Sequence, residues 1–537
     1  MKVVIIGGVA AGASTAARLR RLDETAEIIL MERGQTISYA NCGLPYHLGG
    51  TIEDREDLIV MPSEKFKAWF NIDVRTEHDV LEICRDKKLL QIQTPQGRRT
   101  ETYDKLVIAT GASPMGEAFT NDNHPRLSHL WTLADMDRLL VKLGNAKRVI
   151  VVGAGFVGLE AAENLRERNL EVTLIQREDQ ILTTLDKEMT KPLLKEVQHQ
   201  GIVVHLNTSV DHYTETSTTV TAHLVTGETI EADMVVVATG VKPNSDLAQR
   251  CGLACNNRGY IIVNERLQTS DPNIYAAGDV IEVYDPILKG RTTIPLAGPA
   301  NKQGRIVANN LVGGQSVYRG SFGTSIIKIG SLTAASVGLT ERRLAIAGVT
   351  YRKLFLHPAS HATYYPGASR LSIKVLFADD GTLYGAQIVG KEGVDKRIDT
   401  LAQAMRTGLK IQDLAELELA YAPPYGSAKD PVNFIGFIGE NILSGLSDVV
   451  TPDAIPENAI ILDTREAGEY AAGAIPGAIN IPLTQLRQRL GELDKTHFYV
   501  VHCQVGLRGY LAERILKQHG FKCANLSGGW LTWQMFN

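Results

Sequence analysis

The sequence of 537 residues predicts an α/β protein of several domains, two of which open with a strand, a glycine-rich turn and a helix. The first such unit follows the apolar run at residues 3–6, and the second follows the run at 149–152. The third observation is composition: 44% hydrophobic and 22% charged residues in a chain of this length are enough for three or four buried cores.

Charge and cysteine usage exclude several classes of protein. The net charge is −4 and no long basic run occurs, so neither nucleic-acid binding nor membrane-surface binding is predicted. Six scattered cysteines do not make a disulfide framework and favour a reducing compartment, the cytoplasm. The start of the chain imitates a signal peptide, but the amphipathic stretch 14–22 and the strand 27–31 make a β-α-β unit the better interpretation. No apolar run approaches the roughly 18 residues that span a bilayer.

The first unit has the spacing of a dinucleotide-binding turn. Glu32 follows the glycines by about twenty residues, where a carboxylate accepts hydrogen bonds from a ribose, and the phosphates are expected at the N-terminus of the helix. Val9 stands in place of the second glycine of the motif G-x-G-x-x-G, which is a departure from the pattern.

The second unit matches the motif fully, with Gly153, Gly155 and Gly158. At the end of its second strand Gln176 replaces the expected acid, and Arg177 follows. A guanidinium group there can meet a 2′-phosphate, so the pattern favours NADPH and leaves the use of both nucleotides open.

Three further segments extend the pattern. Ala109-Thr110-Gly111 and Ala238-Thr239-Gly240 each close an apolar strand, and the segment 269–279 ends in Gly278-Asp279. Together with the two glycine motifs, these segments make residues 1–445 resemble the two-dinucleotide flavoprotein disulfide reductases, of the glutathione reductase type. The resemblance implies that Asp279 binds the ribityl chain of FAD and that the helix beginning near Pro299 points at the flavin.

The resemblance also implies which residues bind FAD and NAD(P)H. They are Gly7, Gly8, Ala11, Gly12, Glu32, Arg33, Thr110, Gly111, Gly153, Gly155, Gly158, Gln176, Arg177, Gly240, Gly278, Asp279 and Pro299. It implies a discontinuous FAD-binding domain at 1–115 and 245–320, an NAD(P)H-binding domain at 116–244, and an α+β dimerisation domain at 321–445.

Cys42 is the candidate redox residue of the predicted flavoprotein. It has no second cysteine beside it, so its redox partner must be a small-molecule thiol, an oxygen atom or a distant thiol. We expect a helix N-terminus at Gly43 and nearby positive charge to lower the pKa of the Cys42 thiol. The run from Ser38 to Tyr46, with Cys-Gly-Leu-Pro-Tyr, resembles the coenzyme A disulfide reductase branch, including its coenzyme A persulfide reductases.

Related NADH oxidases and peroxidases also use one cysteine, which cycles through a sulfenic acid. They carry a histidine in the place of Ala10, and its absence argues against a peroxidase.

Residues for coenzyme A and for proton donation follow from the same resemblance. Arg18 and Arg21 lie one helical turn apart and can bind the phosphates of a nucleotide-bearing thiol, or else are solvated surface residues. The resemblance adds the substrate residues Ser38, Asn41, Asn301 and Lys429.

Tyr364 and Tyr421 match the tyrosines that such reductases extend over the cysteine site of the partner subunit in a homodimer; Tyr365 or Tyr425 could replace either. The alternative interpretation of these segments is an aromatic and proline-rich packing corner.

The C-terminal part begins after an expected linker at 445–458. The segments 459–465 and 475–482, and the strand 498–501 that leads into the Cys503 loop, make residues 455–537 resemble a single α/β rhodanese domain. Loop N–H groups would stabilise a thiolate or persulfide on Cys503, and Arg508 would close the loop. Two departures are Ala474, where many rhodaneses have histidine, and Gly509, where serine is usual. An inactive domain that only binds partners is the alternative.

The sequence therefore predicts a cytoplasmic homodimeric flavoenzyme that uses FAD and NAD(P)H, holds coenzyme A as substrate or as a mixed disulfide on Cys42, and carries sulfane sulfur on Cys503. No metal is expected. The alternatives are an NADH oxidase or peroxidase that works through a Cys42 sulfenic acid, and a non-redox module for sulfur delivery or binding.

Overall fold

The computed structural model describes residues 1–115 and 125–537; residues 116–124, where the second dinucleotide-binding domain is expected to begin, lie outside this description. Residues 1–181 and 200–321 form one compact unit, and residues 182–199 and 322–537 form a second one.

The described part of residues 1–321 contains both strands and helices. They are β1 Lys2–Ile6, α1 Ala10–Arg20, β2 Glu27–Met31, α2 Leu44–Gly49, α3 Ser63–Phe70, β3 Asp73–Arg75, β4 Asp79–Cys84, β5 Leu89–Thr94, β6 Gly97–Thr102, β7 Lys105–Ile108, β8 Ala112–Pro114, β9 Leu127–Ser128, α4 Leu133–Leu143, β10 Arg148–Val152, α5 Phe156–Glu167, β11 Glu171–Ile175, α6 Lys187–His199, β12 Val203–His205, β13 Val210–Glu215, β14 Val220–Leu224, β15 Thr229–Ala232, β16 Met234–Val237, β17 Val241–Pro243, α7 Asp246–Arg250, β18 Ile274–Ala276, β19 Val283–Asp285, β20 Gly290–Thr292 and α8 Ala297–Leu311.

The remaining elements complete the second unit. They are β21 Ser325–Ile329, β22 Leu332–Gly338, α9 Glu341–Ile346, β23 Arg352–Leu356, β24 Leu371–Phe377, β25 Leu383–Gly390, α10 Val394–Thr407, α11 Pro431–Leu443, β26 Val449–Val450, β27 Ile460–Asp463, α12 Ala467–Ala471, β28 Ile479–Asn480, α13 Leu483–Leu486, β29 Phe498–His502, α14 Leu507–Gln518, β30 Lys522–Leu526 and α15 Gly529–Phe536.

Two parallel five-stranded sheets form the frame of the first unit, with strand orders β18-β7-β1-β2-β3 and β12-β11-β10-β16-β9. Their central strands are buried on both faces, which is why they are continuous apolar runs in the sequence. The predicted α/β class with two Rossmann-like folds is confirmed. Helix α1 begins at Ala10, four residues before the predicted start, because the glycine turn leads directly into the helix.

The second unit holds two sheets of different kinds. An antiparallel sheet has the order β21-β22-β25-β24-β23, and a parallel sheet has the order β26-β30-β29-β27-β28. The predicted α+β domain and the C-terminal α/β domain are therefore both present. The segment 445–458, expected to be a linker, instead contributes strand β26, which pairs with β30, and its Asp453 forms an ion pair of 2.6 Å with Lys353.

A buried lysine organises the contact between α6, α9 and the antiparallel sheet. The side chain of Lys374 is inaccessible to solvent, and its Nζ lies 2.7 Å from Asp186 and also bonds Glu188 and Glu341. Burial opposes its charge, but the three carboxylates together outweigh burial and raise the pKa of the Lys374 ammonium. The lysine occupies the centre of the one acidic cluster in the described residues that has the spacing of a metal site.

Among residues 1–115 and 125–537, every helix is too short or too polar to span a bilayer.

Candidate functional site

The first glycine turn is built by two close backbone contacts. Gly7 has φ +102°, and a Cβ there would lie 2.2 Å from the carbonyl oxygen of Ala109, while a Cβ at Gly12 would lie 1.8 Å from that of Gly7. Only glycine fits either position. Val9 caps α1 with φ −98°, so the backbone there does not require glycine, which explains the departure from the motif.

Glu32 closes this turn from the end of β2. Its carboxylate accepts hydrogen bonds from the N–H of Gly8 and of Gly34, both at 2.8 Å. Arg33 is exposed beside it, with Nη2 3.5 Å from Ser113 Oγ. A carboxylate fixed at this place suits a ribose, so the residues present fit the adenosine half of FAD.

The second glycine turn, at residues 153–158, has the same kind of close backbone contacts as the first. A Cβ at Gly153 (φ +102°) would lie 2.4 Å from the oxygen of Ala238, and one at Gly158 would lie 1.8 Å from the oxygen of Gly153. Each Ala-Thr-Gly segment thus places its alanine carbonyl against the first glycine of a turn. Gln176 Oε1 accepts from the N–H of Ala154 at 3.1 Å, as Glu32 does from Gly8.

The other predicted cofactor residues surround these turns. Thr110 Oγ1 donates to the oxygen of Asn244 at 2.7 Å, and the N–H of Gly278 donates to Gln303 at 2.7 Å. Gly111 and Gly240 have φ of +64° and +119°. Arg177 is 80% exposed and its Nη2 lies 3.1 Å from Glu178 Oε1, and Pro299 lies in the first turn of α8 as predicted. Burial raises the pKa of Asp279 to about 6.

Cys42 lies in a short 3-10 turn, Asn41–Gly43, directly before α2. The residue is exposed, and Asn41 Oδ1 is 4.0 Å from its Sγ. The surrounding protein partly desolvates the sulfur and, with the charges of Glu160 and Asp279, raises the pKa of the Cys42 thiol. The expected lowering of this pKa is therefore wrong, because desolvation and two carboxylates dominate where positive charge was expected.

Glu160 is a site residue to which the sequence analysis gave no role. It follows Gly158 on α5, and Tyr46 on α2 donates a hydrogen bond of 3.3 Å to its Oε1. Desolvation, with a further contribution from Glu163, raises the pKa of Glu160 to about 7, while Tyr46 opposes the shift. The glycine motif that ends just before Glu160 was the signal that could have identified it.

Replacing Glu160 with glutamine should change the pH dependence of Cys42. Below pH 7 the Glu160 carboxyl is neutral, so variant and wild type should react alike at pH 6; above pH 7 its charge disfavours the Cys42 thiolate. After reduction of both proteins with dithiothreitol and its removal, we expect Cys42 of the variant to be alkylated by iodoacetamide about threefold faster at pH 8, which corresponds to about half a pKa unit. Mass spectrometry of the Cys42 peptide measures the rate.

Glu167→Gln is the matched control, since Glu167 is exposed on the same helix. Equal ratios of variant to wild-type rate at pH 6 and pH 8 would contradict this prediction.

Three arginines form a positive surface where α1 packs on α8. Arg18 Nε donates to Asn309 Oδ1 at 3.1 Å, and desolvation followed by the nearby Arg305 and Arg21 lowers the pKa of Arg18. Within the described residues no carboxylate pairs with any of these three guanidinium groups. Arg305 was missed because only the packing of α8 against α1 brings it to Arg18.

The four other substrate residues do not all lie in this unit. Asn301 accepts from Ser14 Oγ at 2.5 Å, which ties α8 to α1, and Ser38 has the strained φ of +47° while its N–H donates to Gly8. Lys429 is exposed in the second unit.

The structure distinguishes two tyrosines among the four candidates. Tyr364 and Tyr421 join their hydroxyl groups at 2.5 Å, and this hydrogen bond raises the pKa of Tyr364. They are 73% and 46% exposed, and Tyr365 and Tyr425 are also exposed. All four phenol rings are therefore at least partly accessible in this chain.

Cys503 directly follows strand β29 and is buried, with 1% of its surface exposed. Its carbonyl oxygen accepts from the N–H of Trp530 at 2.7 Å, and that of Gln504 accepts from Leu531 at 3.1 Å. Gly506, with φ +98°, caps α14. The first residues of α15 thus hold the Cys503 loop in place through backbone hydrogen bonds.

Arg508 makes a two-pronged ion pair with Glu469, with both contacts at 2.7 Å. The pair raises the pKa of Arg508, to which Cys503 also contributes, and lowers that of Glu469 to about 2. Glu469 therefore orients the arginine beside the cysteine, a role that no sequence spacing indicated. At Gly509 a Cβ would lie 2.4 Å from Asn525 Oδ1 and 3.2 Å from the Cα of His502, so there is little room for the usual serine.

Two dinucleotide turns beside a lone cysteine define an oxidoreductase of the dinucleotide-binding class. The model of the pyridine nucleotide-disulphide oxidoreductases matches residues 1–304, that of their dimerisation domain matches 324–430, and that of rhodanese-like domains matches 452–536. The chain belongs to the pyridine nucleotide-disulphide oxidoreductase family.

Relatives cover almost the whole chain. A coenzyme A disulfide reductase from Staphylococcus epidermidis is 36% identical over 440 residues, which is 81% of this chain and 99% of the relative. The solved structure of reduced Bacillus anthracis CoADR-RHD is 41% identical, with a TM-score of 0.96 over 99% of this chain and 98% of that one. An NAD-dependent persulfide reductase from A. fulgidus is 38% identical, with a TM-score of 0.93 over 99% and 100%.

Proposed function

We propose that the protein is an FAD-dependent NAD(P)H reductase of coenzyme A disulfide, coenzyme A persulfide or polysulfide. One NAD(P)H and one proton reduce a disulfide to two thiols, or a persulfide to a thiol and hydrogen sulfide. The coenzyme A disulfide reductase and the persulfide reductase to which this chain is similar support the substrate class.

The observation that carries the proposal is the group of unpaired arginines, Arg18, Arg21 and Arg305. Cations without counter-ions on a protein surface repel one another and favour a polyanion. The phosphates of coenzyme A are such a polyanion, and they would place its thiol at the FAD domain that carries Cys42. Ser38, Asn41 and Asn301 supply neutral hydrogen-bonding groups in the same unit.

The cofactor residues divide between the two turns. Glu32, the first turn and Asp279 would hold FAD, and the second turn with Gln176 and Arg177 would hold NAD(P)H. When bound, NAD(P)H and FAD supply the electron pair that cleaves a disulfide. The exposed Arg177 and the missing acid support use of NADPH alongside NADH.

Cys42 rests as a mixed disulfide with coenzyme A in this proposal. After reduction its thiolate attacks one sulfur of the substrate and releases the other as thiol or sulfide. The protein acts as a homodimer, in which the Tyr364–Tyr421 pair of one protomer serves the Cys42 site of its partner and donates a proton to the leaving thiolate. The exposure of both phenols on the matched dimerisation domain supports this arrangement.

Cys503 carries sulfane sulfur in the proposed reaction. Its loop and the fixed Arg508 guanidinium suit a persulfide anion. A coenzyme A thiol would take the outer sulfur, which leaves Cys503 as a thiolate and gives the coenzyme A persulfide that the Cys42 site reduces.

Mass spectrometry of the native, unreduced protein tests the identity of the thiol. We expect a coenzyme A adduct on the Cys42 peptide that dithiothreitol removes, because a mixed disulfide is the resting form. The Cys84 peptide of the same domain is the control. Finding Cys42 only as a sulfenic or sulfinic acid would support the oxidase alternative instead.

Replacing Cys503 with serine tests the carrier role. We expect sulfide release from a sulfane-sulfur donor to fall about tenfold more than coenzyme A disulfide reduction does, because serine cannot carry sulfur. NAD(P)H oxidation and sulfide release are measured in parallel for both substrates. An equal effect on the two reactions would favour a domain that only binds partners.

A further inference from the structure

Strand β23 is an edge strand, and the C-terminal domain covers its open edge. Phe355 would leave its backbone N–H and C=O unpaired there, but Ser527 Oγ accepts from that N–H at 2.7 Å and donates to that oxygen at 3.3 Å. Covering an edge in this way removes unsatisfied backbone groups. The two domains of this unit are therefore joined by specific hydrogen bonds as well as by the chain.

Alternate residues of the strand and its continuation face the same neighbour, as the two-residue period of a strand requires. Lys353 bonds Asp453, the ring of Phe355 meets that of Phe536 edge-on at 5.8 Å, and His357 follows two residues later. Three successive side chains on one face thus contact the C-terminal domain.

His357 makes the most deeply buried of these contacts. Its Nε2 is 2.8 Å from Thr532 Oγ1 and its Nδ1 is 3.0 Å from Ser372 Oγ, so both ring nitrogens are engaged. Burial, with a smaller effect of Arg370, lowers the pKa of His357 to about 3. The ring is therefore neutral at ordinary pH, and the contact does not switch on or off with protonation near neutrality.

The turn at residues 528–529 lies between His357 and the Cys503 loop. Gly528 and Gly529 have φ of +67° and +63°; a Cβ at Gly528 would lie 3.0 Å from His357 Nε2, and one at Gly529 would lie 2.2 Å from the oxygen of Cys503. The next amide, of Trp530, donates to that same oxygen. Two glycines thus fill the space between the imidazole and the cysteine backbone.

We propose that His357 of the antiparallel-sheet domain is a positioning residue for the Cys503 loop, acting through Thr532 and the turn at 528–529. The dimerisation domain then supplies part of the rhodanese-like site. The Cys503 loop is held in contact with that domain and is not joined to it only by a flexible linker. The importance of this contact for turnover rests on the proposed carrier role of Cys503, but its existence does not.

Thr532→Val and His357→Gln test the inference in the full-length protein with its cofactors. Valine keeps the shape of threonine without the hydroxyl, and glutamine replaces the ring with an amide. Loss of the contact should speed hydrogen exchange of the peptide spanning residues 527–533 about tenfold, and alkylation of Cys503 by iodoacetamide about fivefold, because the loop opens locally. Exchange in β27 and β29 should not change.

Two further variants distinguish positioning from general stability. Thr532→Ser keeps the hydroxyl and should restore wild-type exchange and alkylation, and Thr407→Val, whose hydroxyl bonds only its own helix, should have no effect. Wild-type rates in both test variants, or faster exchange throughout the C-terminal domain, would overturn the inference. Faster alkylation of Cys503 with unchanged sulfide release would support the positioning role and reject the carrier function.

Discussion

Replacing Cys42 with serine is expected to reduce NAD(P)H-dependent reduction of coenzyme A disulfide by on the order of 10³-fold or more, which is typical of the loss of a catalytic nucleophile. A serine hydroxyl at neutral pH neither attacks sulfur nor forms a disulfide, and Cys42 is the residue that would do both. Steady-state oxidation of NAD(P)H with coenzyme A disulfide and with a persulfide measures the effect.

The controls separate sulfur chemistry from cofactor binding. Flavin absorbance and NAD(P)H oxidation with an artificial electron acceptor should be retained, because serine is nearly the same size as cysteine. Cys84→Ser, a half-buried cysteine on β4, should have wild-type turnover. Turnover of Cys42→Ser within tenfold of wild type would reject the proposed function, and robust turnover of the wild type with oxygen alone would favour the oxidase.

Replacing Lys374 with methionine is expected to lower the stability of the second unit by about 3–5 kcal/mol, the usual effect of removing one partner from a buried ion pair. The carboxylates of Asp186, Glu188 and Glu341 would remain close to one another without the ammonium group that balances their charge. Because a large multidomain protein often unfolds irreversibly, the unfolding rate in denaturant is the measurement, together with the apparent Tm.

Lys328→Met is the matched control, because Lys328 is exposed on β21 of the same sheet. A second variant, Lys374→Met combined with Glu188→Gln, should recover part of the loss, since one buried charge is removed. A wild-type unfolding rate and apparent Tm in Lys374→Met would contradict this prediction.

Much of the fold could be predicted because its central strands are apolar on both faces. Strand β2 occupies the predicted residues, and the glycines of both turns stand where a Cβ would strike a carbonyl oxygen. Local rules failed at 445–458, whose glycine, serine and proline residues indicate a linker. Pairing of β26 with a strand far along the chain overrides that composition.

The candidate site was predictable where a residue belongs to a motif. Cys42, Cys503 and Arg508 were identified in this way, and the choice of Tyr364 with Tyr421 agrees with the hydrogen bond that joins them. Arg305, Glu469 and His357 were missed because each works through a neighbour distant in the chain. The direction of the Cys42 pKa also depends on Glu160 and Asp279, which only folding brings near it.

The amino-acid order by itself determined the strands, the glycine turns and which cysteines are candidates for sulfur chemistry, because each depends on a few consecutive residues. Only the tertiary structure decided which charges surround those sulfurs, which arginines stand unpaired together, and that the Cys503 loop is supported by another domain. Desolvation and ion pairing depend on distance in space, and the positions that meet there are separated by tens to hundreds of residues along the chain.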